Sequence, residues 1–138
     1  MKSGSVILEL QRATHATLQL LTTELVDLDL TASEINALGN LADGVGRTVS
    51  ELGAAIGTRP ATLTGILDRL ERRGLITRAP RPGDRRAVLI TLTTDGVRTA
   101  ALIRQTLDAV EQRALAGLAA DVVQAARTVL LALTEARR

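Results

Sequence analysis

Residues 48–93 read TVSELGAAIGTRPATLTGILDRLERRGLITRAPRPGDRRAVLITLT and carry most of the information about the fold. Thr48 begins a short amphipathic helix, and Gly57 ends it. Pro60 suits the first turn of a longer helix, where its missing N–H needs no partner. Gly74 is typical of the residue that follows a helix C-terminus. The pattern therefore predicts two consecutive helices joined by a short turn.

The longer helix has one apolar side and one polar side. Its apolar side follows three-and-four spacing and carries Leu63, Ile66, Leu67 and Leu70. The opposite side and its flanks carry Ala61, Thr62, Thr64, Gly65, Asp68, Arg69 and Arg72. We expect the first set to be buried and the second to face solvent or a ligand.

A β-hairpin is predicted directly after this helix. Residues 75–79 form the first strand, and residues 80–84 (PRPGD) are rich in turn-forming types. The return strand alternates and carries Val88, Ile90 and Leu92 on one side. Two helices followed by such a hairpin are the sequence order of a winged helix-turn-helix.

Helical patterns flank this region on both sides. Residues 5–28 form an amphipathic first helix, and Thr31 with Glu34 forms a capping box that begins the second. Thr93 or Thr94 caps a fifth helix that runs to about residue 116, and a sixth covers residues 119–136. The predicted fold is therefore mainly α with a small β-wing, with about six helices and two to three short strands.

Composition excludes several kinds of site. Hydrophobic residues make up 46% of the 138 residues and none is aromatic; cysteine is absent and His15 is the only histidine. Disulfides, thiolate catalysis and a multi-histidine metal site within one chain are thereby excluded. The sequence also offers no nucleophile–base set and no phosphate-binding glycine loop, so we expect no enzyme and no cofactor. No apolar run could span a bilayer, and we expect a cytoplasmic protein.

Positive charge is concentrated on the predicted winged helix. The net charge is only +2, but residues 69–86 contain seven arginines against Glu71 and Asp84. A phosphate backbone would be attracted to such a field. Double-stranded DNA is therefore the expected partner.

The motifs together resemble those of the MarR (multiple antibiotic resistance regulator) family. The similarity covers LTASEINAL, the helix-turn-helix, the Leu-Glu-x-x-Gly-Leu-Ile-x-Arg exit, the wing motif Asp84-x-Arg86 and the following Leu-Thr-x-x-Gly. The resemblance implies a homodimeric transcription regulator, often a repressor that releases a pseudo-palindromic operator when a small ligand binds. It also implies that residues 31–93 form the DNA-binding lobe, while residues 1–30 and 94–138 form a helical dimerisation region.

The fourth helix is the predicted reading helix. The residues expected nearest the DNA bases are Thr58, Arg59, Ala61, Thr62 and Thr64. Arg59 could donate two hydrogen bonds to guanine, and Ala61 could contact a thymine methyl group. Asp68 is expected to pair with Arg72, four residues further on. Arg69, Arg72 and Arg73 suit phosphate contacts, with a solvated helix end as the open alternative.

The wing tip contains the second predicted group of DNA contacts. By the resemblance, Arg86 inserts into the minor groove and Asp84 orients it through a salt bridge, while Arg85 contacts phosphate. A merely polar hairpin tip is the alternative. Arg78 and Arg81 are expected to strengthen the local positive field.

Apolar residues at both ends of the chain predict a homodimer. Those expected to need a partner surface are Ile7, Leu18, Leu21, Leu25, Val122, Val129, Leu130 and Leu133. By the resemblance, an effector would be accommodated between the first, second and fifth helices near His15, whereas a lone histidine on a helix is more often a structural or exposed residue. A winged helix that binds protein rather than specific DNA is the alternative function.

Overall fold

The computed structural model describes residues 4–136, which form six α-helices, one 3-10 turn and three strands. In chain order these are α1 (Val6–Glu24), the 3-10 turn (Val26–Leu28), α2 (Ala32–Leu41), β1 (Arg47–Thr48), α3 (Val49–Ile56), α4 (Pro60–Arg72), β2 (Ile76–Arg81), β3 (Asp84–Leu92), α5 (Thr94–Leu115) and α6 (Ala120–Glu135). This element order confirms the predicted winged-helix fold class.

The helix starts follow their predicted capping residues. The Thr31 hydroxyl accepts from the Glu34 N–H at 3.2 Å, and a Glu34 carboxylate oxygen accepts from the Thr31 N–H at 2.8 Å. Thr48 and Glu51 form the same capping box at the start of α3. Each box satisfies two backbone N–H groups that the helix itself leaves free.

The first helix is shorter than the pattern predicted. It ends at Glu24, and the 3-10 turn Val26–Leu28 replaces its expected last turn. Asp29 then takes a left-handed conformation with φ of 52°, which redirects the chain into α2. Left-handed backbone is unusual outside glycine, although aspartate tolerates it better than most residues.

The sheet is antiparallel, with strand order β1-β3-β2. Strands β2 and β3 extend further than predicted, so the wing turn shrinks to Pro82 and Gly83. Gly83 has φ of 84°, which glycine adopts without steric cost. The pairing shifts between Pro80 and Arg81, whose partners on β3 are Val88 and Asp84, and proline is commonly found at such irregularities since it donates no ladder hydrogen bond.

The chain divides into two compact units, one ending at Thr106 and the other beginning at Leu107. The core lies in the first unit, where the predicted α4 stripe is buried together with Ile35, Leu38, Leu52, Ile76, Ile90 and Ile103. Leu21 and Leu25 are also buried in this unit. The expectation that those two leucines need a partner surface is therefore wrong, since α2 and its neighbours already cover them.

The second unit has little interior of its own. No described residue of α6 is buried, and Val122, Val129, Leu130 and Leu131 are each about half exposed. Val110, on α5, is the buried hydrophobic residue that this unit contributes within the described chain. This unit thus presents a largely uncovered apolar surface.

The start of α5 is anchored to the end of α4. The Thr93 hydroxyl donates to the Gly74 carbonyl at 2.6 Å and accepts from the Gly96 N–H at 3.0 Å. The Thr93 N–H donates to the Leu75 carbonyl at 3.1 Å. Thr93 thus performs the predicted capping role and fixes α5 against the exit of α4.

Among residues 4–136, no single helix has the length and apolar character needed to cross a membrane, and only α5 and α6 taken together, bent sharply at their break, pass that test of length and composition.

Candidate nucleic-acid interface

The N-terminal half of α4 presents an exposed polar surface. Arg59 is the N-cap residue, and its exposed side chain makes no capping hydrogen bond. Ala61 and Thr62 are exposed, whereas Thr58 is half-buried. The Thr64 hydroxyl donates to the Pro60 carbonyl at 3.0 Å, so donation by Thr64 to DNA would require exchange of that bond. Arg59 therefore has the greatest freedom to donate to DNA.

The three arginines near the end of α4 have three different environments. Arg69 Nε lies 3.5 Å from Glu34 Oε2. Arg73 donates to the carbonyl oxygens of Asp29 at 2.6 Å and Leu28 at 2.9 Å. Arg72 is exposed, and no described residue forms an ion pair with it. Of these three arginines, Arg72 is therefore the one whose guanidinium is free to contact a phosphate.

Glu34 explains why Arg69 is held. Its side chain is only 5% exposed, and its Oε1 already accepts from the Thr31 N–H. A buried carboxylate needs a compensating charge, and Arg69 supplies it from α4. The local sequence around Glu34 predicts only its role in the capping box, since no nearby residue indicates a partner on another helix.

Asp68 pairs with Arg78 rather than with Arg72, which corrects the predicted helix-face pair. Arg78 Nη2 lies 2.7 Å from Asp68 Oδ1 and 2.8 Å from Glu71 Oε1. The guanidinium reaches from β2 across to α4, where two acidic residues one turn apart share it. Hydrogen bonds from Arg78 lower the pKa of Glu71, and the two carboxylates raise the pKa of Arg78. Arg78 thus joins the wing to the reading helix, and its charge is largely neutralised.

The wing tip differs from expectation in one contact. Asp84 Oδ1 accepts from the backbone N–H of Arg86 at 3.0 Å. Within the described chain, no ion pair links Asp84 to the Arg86 guanidinium, so the predicted salt bridge is wrong. A short aspartate side chain two residues before an N–H readily closes such a turn. Asp84 therefore orders the wing backbone and leaves the Arg86 side chain exposed.

The wing base lies beside the start of α3. A cleft there is lined by Thr48, Val49, Ser50, Asp84, Arg86, Ala87 and Val88. Arg86 is thus brought next to the N-terminal end of α3, where unpaired helix N–H groups favour anions. A second cleft is lined by Asp29, Thr31, Glu34, Arg69, Arg72 and Arg73.

Uncommitted positive charge remains at both expected contact regions. The exposed arginines without an ion-pair partner among residues 4–136 include Arg59, Arg72, Arg81, Arg85 and Arg86. Arg59 lies at the start of α4, and the last three lie at the wing. His15 is exposed on α1. The arrangement is that of a winged helix whose α4 start and wing carry exposed, unpaired arginines.

This class of fold has a specific family match. A sequence model of the MarR family matches residues 28–87. The multiple antibiotic resistance protein MarR of Escherichia coli K12 is 36% identical over 75 residues, which are 54% of this chain and 52% of that protein. The transcriptional repressor NicR of Pseudomonas putida KT2440 is 39% identical over 67 residues, 49% of this chain and 42% of that protein. The sequence match spans about half the length of these curated relatives.

Solved structures extend the likeness to nearly the whole chain. Wild-type apo MarR from E. coli superposes with a TM-score of 0.76 at 27% identity, covering 96% of this chain and 98% of that one. NadR in complex with 4-hydroxyphenylacetate gives a TM-score of 0.89 at 23% identity, covering 99% and 97%. The molecule thus has a winged helix-turn-helix fold. More particularly, its residues 28–87 are similar to the MarR family.

Proposed function

We propose that the chain is a sequence-specific, DNA-binding transcriptional regulator that acts as a homodimeric repressor in the cytoplasm, where its operator DNA would lie. The observation that carries the proposal is the set of exposed, unpaired arginines at the N-terminus of α4 and along the wing. The similarity of residues 28–87 to the MarR family supports the same function, and NicR, similar over 42% of its length, is a transcriptional repressor.

The two arginine groups have separate proposed roles. Arg59 begins the reading helix and would pair with a base edge in the major groove, where a bidentate arginine–guanine contact discriminates by about 1–3 kcal/mol. Arg86 projects from the wing and would enter the minor groove, whose narrow, negative form attracts a guanidinium. Arg72 and Arg85 would contact phosphates and contribute affinity without sequence information.

Dimerisation is proposed from exposed apolar residues at both ends of the chain. On α1, Val6 is 55% exposed, Ile7 52% and Leu8 54%; on α6, Leu131 is 58% exposed. Clustered residues of this kind mark association surfaces on soluble proteins. A two-fold dimer that covers them would present two reading helices, so the operator should be pseudo-palindromic with half-sites about one helical turn apart. The proposed division into a winged lobe (31–93) and a dimerisation region (1–30 and 94–138) follows from this arrangement.

The proposal of a small-molecule effector rests on analogy of fold alone. NadR shares the fold and was crystallised with 4-hydroxyphenylacetate. Here the absence of aromatic residues means that a ligand would be held by aliphatic and charged side chains rather than by stacking. The role of exposed His15 as an effector contact stays a prediction.

Selection of duplexes from a random DNA pool by the full chain tests the function. Enrichment of an inverted-repeat sequence, with an affinity that falls steeply as salt rises, is the expected result, because bound arginines release counterions from phosphates. A winged helix that binds protein instead would enrich no sequence. Arg59→Ala should relax preference at one position of each half-site. The matched control is Arg72→Ala, which removes an exposed arginine of the same helix and should weaken binding without changing the preferred sequence.

A further inference from the structure

Arg73 occupies a position that the DNA-binding role does not explain. It is the C-cap residue of α4, directly after Arg72, and its guanidinium points back to the α1–α2 junction. Nη1 donates to the Asp29 carbonyl at 2.6 Å, and Nη2 donates to the Leu28 carbonyl at 2.9 Å. The donors and acceptors are 44 and 45 residues apart in the chain, so this contact links distant elements.

The two carbonyls lie where α1 is redirected into α2. Leu28 ends the 3-10 turn that follows α1, and Asp29 has the left-handed φ of 52°. Carbonyl groups at a helix end carry partial negative charge and lack partners within the helix. The planar guanidinium satisfies two of them with a fixed fork of donors, which a lysine cannot reproduce.

A second tie lies one turn earlier on α4. Arg69 meets the buried carboxylate of Glu34, which caps the start of α2. Arg73 and Arg69 thus hold the C-terminal half of α4 to the two sides of the same junction. Arg72, between them, makes no such contact with a described residue. Arg69 and Arg73 are thus bonded within the protein, whereas Arg72 is free to bind a ligand, so these three neighbouring arginines differ in role.

We propose that Arg73 is a positioning residue that fixes the reading helix relative to α1, and thereby sets the half-site spacing that the dimer accepts. The inference rests on the proposed function, since α1 carries exposed apolar residues assigned there to the dimer interface. Hydrogen-bond networks and rigid secondary elements can carry coupling of this kind between distant sites. The Arg73 fork supplies that connection without touching DNA.

The test compares Arg73→Met with Arg72→Ala in the full chain. The Arg73 variant keeps most of the aliphatic stem and loses both donors, whereas the Arg72 variant removes an exposed, unpaired charge. Probes are the duplex selected by the wild type, the same duplex with the half-site spacing lengthened or shortened by one base pair, and a single half-site. Each affinity is measured over a salt series, and circular dichroism checks the fold.

Arg73→Met should lose about tenfold in affinity for the optimal spacing, within the range of measured coupling effects. It should bind the altered spacings and the single half-site nearly as the wild type does, with an unchanged salt slope. Arg72→Ala should instead weaken binding equally at every spacing and reduce the salt slope by about one.

Two results would overturn this inference and leave the proposed function standing. One is an Arg73→Met variant with the wild-type spacing preference, and the other is an Arg73→Met variant that behaves as Arg72→Ala does. If Arg73→Met does not fold, Arg73→Lys decides, because it keeps the charge but lacks the fork; an unchanged spacing preference there also overturns the inference. A wild type that selects no sequence would instead refute the proposed function, and the inference with it.

Discussion

Gly96 should be the residue of the α4–α5 junction least tolerant of a side chain. A Cβ atom at this position would lie 1.9 Å from the Leu75 carbonyl oxygen and 2.9 Å from its carbon. Carbon and oxygen atoms normally approach no closer than about 3.3 Å, so α5 would have to move away by more than about 1 Å. That carbonyl also accepts from the Thr93 N–H at 3.1 Å, and the Gly96 N–H donates to the Thr93 hydroxyl at 3.0 Å. The shift would therefore break the junction's hydrogen bonds.

We expect Gly96→Ala to lower the free energy of unfolding by about 3 kcal/mol, the upper end of the range for overpacking, because the obstacle is backbone. Gly65→Ala is the matched control, since only Arg69 Nη1 comes within 4 Å of its added Cβ, at 3.7 Å. That change should stabilise the helix by about 0.5–1 kcal/mol. Urea unfolding at one fixed protein concentration measures both. A Gly96→Ala variant within about 0.5 kcal/mol of the wild type, the range of ordinary surface changes, would refute the reasoning.

Three other perturbations have defined outcomes. Arg86→Ala should cost about 1–3 kcal/mol of operator binding per half-site, and Arg85→Ala less, by fluorescence anisotropy at fixed salt; equal losses would contradict their separate roles. Removal of residues 119–138 should abolish dimerisation and operator binding in analytical ultracentrifugation and anisotropy, and a monomer with full affinity would contradict the proposed interface. Arg78 lowers the pKa of the Glu71 carboxylate from its usual 4.5. The contact should therefore stabilise the wing above pH about 4.5 and lose that effect as the pH falls through the lowered pKa. A carbon-detected NMR titration should show that Glu71 is protonated only below 4.5, and Arg78→Met should return the pKa of Glu71 to its usual value.

Local signals in the sequence predicted the fold well. Capping boxes at Thr31 and Thr48 determine helix starts through contacts only three residues apart. The left-handed glycines Gly57 and Gly74, with φ of 67° and 72°, end α3 and α4 where the pattern placed those ends. Such features depend on neighbouring residues, so they can be recognised without knowledge of the tertiary structure.

The partners of the charged side chains could not be predicted in the same way. Periodicity placed Asp68 and Arg72 one helical turn apart, yet Asp68 pairs with Arg78 from a different element. The pairing of Arg69 with Glu34 and the contact of Arg73 with the α1–α2 junction likewise join segments distant in sequence. Side-chain reach and the packing of α4 against its neighbours decide these contacts, and neither quantity is encoded in local spacing.

The sequence likewise predicted only part of the contact between Asp84 and Arg86 at the wing. The motif identified Asp84 and Arg86 as a pair, but the carboxylate bonds to the Arg86 backbone rather than to its guanidinium. The two residues are only two positions apart on β3, beside the point where its pairing with β2 is irregular. The sequence thus indicated that Asp84 and Arg86 are in contact, while the local backbone geometry determined which atoms of the two residues meet.

Sequence-specific DNA binding through Arg59 and Arg86 is tested by the double variant Arg59→Ala, Arg86→Ala. Its affinity is measured across a salt series beside that of the wild type, on the duplex that the wild type selects and on scrambled DNA. We expect the double variant to keep its fold and dimeric state but to bind both DNAs equally, because both proposed base-reading side chains are gone. A double variant that still prefers the selected duplex as strongly as the wild type would show that neither arginine reads the sequence.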